Sequence, residues 1–379
     1  VSPAGHSFTA IAATLRHGGP SPTLVELQPP LGPAQIPALV CPEFGDDTII
    51  DPARRRRLSR LQQMVLTAAR RSLPAGFDAV PRDRIGIAIG TGLGSLSDTA
   101  AFVENLILRD ERSPRPMHFT NSVHNALASQ VALDLQITGL NTSPTQREVS
   151  FEAALWQAAQ ELEAHRADLF LAGAADELLP YLLATGLRWR WWSGTRTPPS
   201  GLQASATTAF PGEGASVFAL APEQTTVAPP LGYLTLIRLG QLPDHSRRSG
   251  ETSAEWILTA LDQAGEPLDT VDLLLLNRPL DEVDAAGFER DLHIRLAAAA
   301  RRAIPLGHYH HACGVHASAS AFGVCMTLAL TNDSLALADC LPAAAADRSA
   351  DHPCRRVLLH TRSTTGAQAL VLVQPAAAR

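Results

Sequence analysis

The chain has no lysine: all 31 of its basic residues are arginine. That absence excludes a P-loop nucleotide site, whose phosphate-binding lysine has no candidate. It also excludes lysine Schiff bases, lysine general bases and the protein-kinase lysine. Charge is sparse as well, at 18% of 379 residues, and 37 acids leave a formal net charge of −6. Phosphate neutralisation needs clustered positive charge, so a dedicated nucleic-acid binder is not expected. Membrane-length apolar runs are missing. The uncharged stretch from Ala317 to Leu330 is too short to span a bilayer and carries Ser318 and Ser320. The opening VSPAGHSF lacks a basic-then-apolar signal. Five cysteines, Cys41, Cys313, Cys325, Cys340 and Cys354, are scattered and odd in number, which fits reduced thiols rather than a disulfide framework. A soluble cytoplasmic protein without membrane contact is expected.

What is present is a 45% hydrophobic content, enough for large cores. Apolar runs alternate with helical patterns, the grammar of an α/β fold. Ile85–Ile89 reads as a strand, followed by the turn GTGLGS and a helix from Ser97 to Leu108. Ser150 to His165 sets Phe151, Leu155, Ala159 and Leu162 at helical spacing, and strands at Leu169–Ala172 and Ala215–Leu220 follow. After a Pro-rich connector the grammar repeats: strand Leu234–Leu239, helix Ser253–Ala264, strand Val271–Leu276, helix His316–Leu330, and a closing strand pair Val357–His360 and Ala369–Val373. The reading is two similarly built α/β halves packed together, residues 1–225 and 226–379.

Several local features carry two readings. The GTGLG loop, Gly90 to Gly94, is either a tight turn or a dinucleotide loop whose third glycine comes too early. The run Arg54–Arg57, with Arg60, Arg70 and Arg71, is a solvated helix face or a site for an acidic partner. His308, His310, His311 and His316 lie close in sequence but without the ligand spacing of a metal site, so no metal and no cofactor is expected. The stretch Arg188–Trp192 (RWRWW) is packing material or a ligand-stacking surface.

Taken in order, these segments resemble the β-ketoacyl synthases of fatty-acid and polyketide assembly. VSPAG (Val1–Gly5), GIAIGTGLGS (Gly86–Ser95), FTNSVHNALASQVA (Phe119–Ala132), GLN (Gly139–Asn141), RADLFLAGAADE (Arg166–Glu177), PGEGA (Pro211–Ala215) and GHYHHACG (Gly307–Gly314) each resemble a family segment. The resemblance is collinear over essentially the whole chain. It implies a thiolase-like fold: two duplicated α/β halves in a layered αβαβα arrangement.

A condensing enzyme needs a cysteine thiolate, two histidines and an oxyanion hole. The resemblance implies that the cysteine would stand about 20 residues before Asp168, which is Glu148. It aligns Asn277, in VDLLLLNRPLD, with the first histidine, and Ala303 with the active-site lysine. His308 alone matches a catalytic position, where a packing histidine is the alternative. The closing glycine-phenylalanine-glycine turn is replaced around Thr364 and Thr365, with Gly366 kept.

Four lost groups imply a subunit without condensing activity, resembling the chain length factors of type II polyketide systems. Such a subunit pairs with a cysteine-bearing ketosynthase as a heterodimer and meets the acyl carrier protein indirectly. Met117, Phe119, Asn121 and Asn125 are then the tunnel or interface candidates. Aromatic-polyketide members of that group usually carry glutamine where Glu148 stands, so a reducing or polyene system is the closer expectation. Two alternatives stay open: an enzyme of altered chemistry, such as a malonyl-carrier decarboxylase or acyl transferase using His308 and Glu148, and a stand-alone carrier or small-molecule binding module.

Overall fold

A computed structural model describes residues 1–27, 34–44, 49–108, 116–192, 210–225, 227–243, 249–279, 284–302, 304–332, 334–337 and 354–376. Ala303 and Cys340 lie outside the described residues.

The first segment holds α1 (Phe8–Arg16), the antiparallel pair β1 (Thr23–Leu27) and β2 (Ala34–Ala38), α2 (Pro52–Arg55) and α3 (Arg60–Ser72). Helix α3 starts with a capping box. Ser59 Oγ accepts from the Gln62 N–H at 3.3 Å, and Gln62 Oε1 accepts from the Ser59 N–H at 3.0 Å. Then come β3 (Ile85–Gly90), α4 (Leu96–Leu108), α5 (Pro116–Ser122), α6 (Ala126–Leu135), β4 (Asn141–Thr142), α7 (Ser150–Glu163), β5 (Leu169–Asp176), α8 (Pro180–Arg188) and β6 (Gly214–Leu220). The second sheet and its helices use β7 (Gly232–Gln241), α9 (Gly250–Ala264), β8 (Leu273–Leu276), α10 (Ala285–Ala299), β9 (Leu306–His308), α11 (His310–Cys313), α12 (Ala319–Thr331), β10 (Val357–Arg362) and β11 (Ala367–Pro375).

Among the described residues one sheet has the order β4-β3-β5-β6 and the other β7-β11-β10-β8-β9. Side-chain alternation along their strands builds the layers. In the first sheet Ile85, Ile87, Ile89, Leu169 and Leu171 face α3 and α6, while Ala88, Phe170, Ala172 and Ala174 face α7 and α12. In the second, Leu273, Leu275, Val357, Leu359, Val371 and Val373 turn to the same α7 and α12. Their neighbours Leu274, Leu276, Leu358, Leu370 and Leu372 turn to α9 and α10. Helix pair, sheet, helix pair, sheet, helix pair: the αβαβα stacking follows from period-2 strands buried on both faces.

The central layer explains the uncharged stretch noted above. Every residue of α12 except Cys325 is buried, so no charge has a place on it. The helix begins at Ala319 rather than His316, and the His316 ring lies against the Ser318 hydroxyl at 3.1 Å just before it. Strand β5 runs four residues beyond the expected Ala172, through small residues that pair with β6 up to Asp176. The RWRWW stretch is split. Trp192 is buried and donates its Nε1–H to the Leu183 carbonyl at 3.0 Å, whereas Trp189 is exposed. Of the arginine cluster, Arg54 and Arg70 both pair with Asp134, and Arg60 pairs with Glu213. Among the described residues no helix is long and apolar enough to cross a membrane.

Candidate functional site

The site is organised by the entry to α7. A single 3-10 turn, Arg147–Val149, precedes the helix, and Arg147 adopts φ +53, a left-handed conformation costly for a side chain with a Cβ. Ser150 fixes the turn: its hydroxyl donates to the carbonyls of Arg147 and Thr91 at 2.7 and 3.0 Å, and accepts from the Gln146 N–H at 2.8 Å. This aims Glu148 inward. Its side chain is 1% exposed, with Arg147 Nε at 3.5 Å from Oε2. The turn packs against β10, β11 and α12. A carboxylate at a helix N-terminus meets the positive end of the helix dipole.

The GTGLG loop lies alongside. Its amides do what such loops do for phosphates, but for an internal carboxyl whose proton affinity burial raises. Asp176 accepts from the Thr91 hydroxyl at 3.0 Å and from the N–H groups of Gly92 and Leu93 at 3.2 and 3.0 Å. Glycine is required at Gly92, where a Cβ would sit 2.1 Å from the Ala317 methyl. The loop is a close-approach turn.

From the second sheet, the end of β8 supplies Asn277. Its side-chain amide donates to the Arg362 carbonyl and accepts from the Arg362 N–H, both at 2.9 Å. Arg362 is buried, and its guanidinium lies 3.4 Å above the Phe288 ring. The next amide, Arg278 N–H, donates to His310 Nε2 at 2.9 Å, which leaves the His310 proton on Nδ1. His308 lies on the edge strand β9, its ring 6.3 Å from that of His310, with Nε2 3.2 Å from Glu289 and Nδ1 3.3 Å from the Leu276 carbonyl. The β10–β11 turn runs from Ser363 to Gly366, which takes φ +95, and it buries Thr364. The Gly366 N–H donates to the Ser363 carbonyl at 3.0 Å, closing the turn.

Three histidines in this half are neutral. Burial pushes His310 well below the ordinary range, His316 to about 3 and His360 to about 4. An unfolded histidine takes a proton below about pH 6.5. Their contribution is therefore complete above that pH and is lost as pH falls towards the folded values. Between pH 6.5 and 4.5 the expected loss is roughly 2 kcal/mol each for His316 and His360, with His310 acting in the same direction. Urea unfolding at the two pH values checks this; an unchanged midpoint would refute it.

Three of the described thiols are poor nucleophiles. Burial pushes Cys41 and Cys313 up, and Cys325 up to about 11, so all three are protonated at neutral pH. None of the described cysteines lies on α7 or its preceding turn.

Met117 and Phe119 are exposed on α5, and Asn125 is exposed just before α6. Asn121 instead turns inward and accepts from Gln62 Nε2 at 3.2 Å. Around them Val103, Ile107 and Leu108 on α4, Val123, and Leu133 on α6 are exposed, and the Phe102 and Phe119 rings lie 5.5 Å apart. Beside this face β4 forms the edge of its sheet, flanked by exposed Leu140 and Trp156. Sequence alone does not single out Arg362, Asp176, Glu152 or Glu213, and it notes His310 only as one of a histidine cluster. A charge inside an apolar strand or helix phase was the available signal for Arg362 and Glu152.

Residues 46–226 match the profile of the β-ketoacyl synthase N-terminal domain. Two curated relatives are chloroplastic 3-oxoacyl-[acyl-carrier-protein] synthases I. That of Arabidopsis thaliana is 24% identical over 139 residues, covering 35% of this chain and 29% of its own. That of Hordeum vulgare is 28% identical over 141 residues, covering 35% and 30%. The matched region thus spans under a third of these relatives' length. Solved structures match throughout. The ishigamide ketosynthase/chain length factor superposes with a TM-score of 0.72 at 21% identity, covering 99% of this chain and 97% of that one. A β-ketoacyl synthase from Burkholderia phymatum gives 0.76 at 17% with the same coverage. A ketosynthase in complex with its chain length factor from Xenorhabdus doucetiae gives 0.73 at 16%, covering 99% and 96%. The chain resembles the β-ketoacyl synthase family in fold throughout, and its fold is the thiolase-like fold of the ketosynthases.

Proposed function

We propose that this chain is a non-condensing ketosynthase-like subunit. It pairs with a cysteine-bearing ketosynthase and shapes the acyl tunnel in a type II polyketide system of the reducing or polyene kind. The observation that carries the reading is Glu148, an enclosed carboxylate at the α7 entry where the family's spacing expects the acyl-carrying cysteine. A carboxylate forms no thioester, and the thiols raised by burial supply no substitute. Asn277 supports it further: an amide cannot cycle protons near neutral pH, and both its ends are committed to Arg362. Ala303 and Thr364 complete the set of replaced positions. His308, turned to Glu289 on an edge strand, weighs against a decarboxylase that relies on it.

The partner follows from the surface. Exposed apolar residues on α4, α5 and α6 beside an open sheet edge form a face that a like-folded subunit can cover while continuing the sheet. Met117, Phe119 and Asn125 lie on that face as candidates to reach the partner's tunnel. Arg56 and Arg57 are exposed beyond the paired arginines, a basic surface suited to an acidic carrier protein. We place the boundary between the halves at residues 225 and 226, between β6 and β7, in a cytoplasmic assembly that needs no cofactor.

Purified alone, the chain is expected to turn over no malonyl-carrier substrate, and to support condensation only when co-purified with a cysteine-bearing ketosynthase. Glu148→Cys is expected to restore no condensation, because Asn277 and the closing turn are unchanged. Clear product formation by that single variant, followed by mass spectrometry of the carrier-bound acyl chain, overturns the reading.

A further inference from the structure

One turn beyond Glu148, α7 carries a second enclosed acid, Glu152, only 1% exposed. Its surroundings differ from those of Glu213 and Asp176. Glu213 is met by the Arg60 guanidinium and by the N–H groups of Cys41 and Leu178 at 3.1 and 3.2 Å. Asp176 is met by a hydroxyl and two backbone amides. Glu152 has a single hydrogen bond of normal geometry, from the Thr361 hydroxyl on β10 at 2.5 Å, and no ion pair. Its Oε2 is enclosed with no hydrogen-bond partner, as are the hydroxyls of Tyr309 and Ser320. Among the described residues an anion so placed has no counter-charge, and the Thr361 and Ser320 hydroxyls replace only part of the water it gives up.

We infer that Glu152 is held as a neutral, protonated carboxyl that joins α7 to β10 of the opposite half, and that its ionisation loosens this junction beneath the site. The carboxyl bridges the two sheets' shared helix layer to the residue just before Arg362. Loss of its proton places an unpaired charge there.

Neighbouring groups leave the titration to Glu152. Tyr309 and Cys313 at α11 are pushed well above their ordinary ranges, Cys325 on α12 rises to about 11, and His360 on β10 falls to about 4. None of these changes charge between pH 5 and 8, and Arg362 stays a cation. Burial pushes Glu152 from 4.5 up to about 7, opposed by the Thr361 and Ser320 hydroxyls. A folded value above the unfolded one means that the folded chain holds the proton more tightly. The stabilisation is therefore present at low pH and is lost as pH rises from about 4.5 through 7.

Buried histidines tilt the profile the other way, so the test is a difference. Glu152→Gln mimics the protonated acid and still accepts from Thr361. Its melting temperature is expected to equal that of the unchanged chain at pH 5 and to exceed it by about 3–6 °C at pH 8. The infrared difference between the unchanged chain and the variant should show a carboxylic C=O band that disappears as pH rises, because Asp176 and Glu177, also raised by burial, are common to both and cancel. A gap independent of pH, or no such band, overturns the inference. Should Glu152→Gln fail to fold, Thr361→Val serves: losing the donor should move the infrared transition to higher pH, and an unmoved transition overturns the inference.

Discussion

Ile107→Asp combined with Phe119→Asp is expected to abolish co-purification with a cysteine-bearing ketosynthase. Both side chains are more than half exposed, so the substitutions remove little that the isolated chain uses to fold. In a complex they would bury two carboxylates in the middle of an apolar face, with no partner charge on α4 or α5 within the face to meet them. Two such insertions at a central hot spot weaken association by roughly 100-fold or more. Size-exclusion chromatography and titration calorimetry read the loss, and an unchanged melting temperature of the isolated chain shows that folding is intact. Leu231→Asp, equally exposed but in the other half, is the control and should pair normally. Undiminished association of the double variant would move the partner surface elsewhere.

A second large effect is expected from Glu213→Ala. This carboxylate closes the PGEGA turn and gathers Arg60, the Cys41 N–H and the Leu178 N–H into one enclosed junction. Removing it leaves two backbone donors buried without acceptors and opens a small void, a loss of about 3 kcal/mol or more. Arg60→Ala is the informative comparison. Its side chain is 43% exposed, so truncation leaves Glu213 with two amides and costs about 1 kcal/mol. Urea unfolding of both variants should show the asymmetry, and equal losses would assign the stabilisation to the ion pair rather than to the amides.

Much of the fold is legible in the residue pattern because the physics is local. The runs IGIAIG, LFLAGAAD and LLLL are continuous rather than alternating, as strands covered on both faces must be. Helix α7 shows its phase through Phe151 and Leu155, and the capping pair Ser59 and Gln62 marks the start of α3. Strand β9 was not legible. Three residues, LGH, exist as a strand only because β8 offers its edge. Nor was the length of β5, whose small residues are strand only by pairing on both sides.

The site divides along the same line. Glu148 is visible as a spacing, since the turn, α7 and β5 follow one another without interruption. Asn277 is visible in its own stretch, but it meets Arg362, and His310 meets Arg278, through contacts across 32 to 85 residues of sequence that no local pattern announces. The GTGLG loop is the instructive case. Its glycines signal amides open to an acceptor, but the acceptor is the Asp176 carboxyl, supplied from more than 80 residues away.

Asn277 has a consequence for the history of the chain. Strands β8 and β10 pair in parallel up to Leu276 and His360, and the Asn277 side chain then reproduces a peptide group facing Arg362, one rung past the end of the ladder. Only a primary amide offers a donor and an acceptor in that geometry; an imidazole cannot match both. Once folding relies on that rung, any path back to a proton-carrying residue must first pass through a less stable chain. If the proposed reading holds, Asn277 works as a ratchet, because a proton-carrying residue at that rung costs the chain stability before it returns any chemistry.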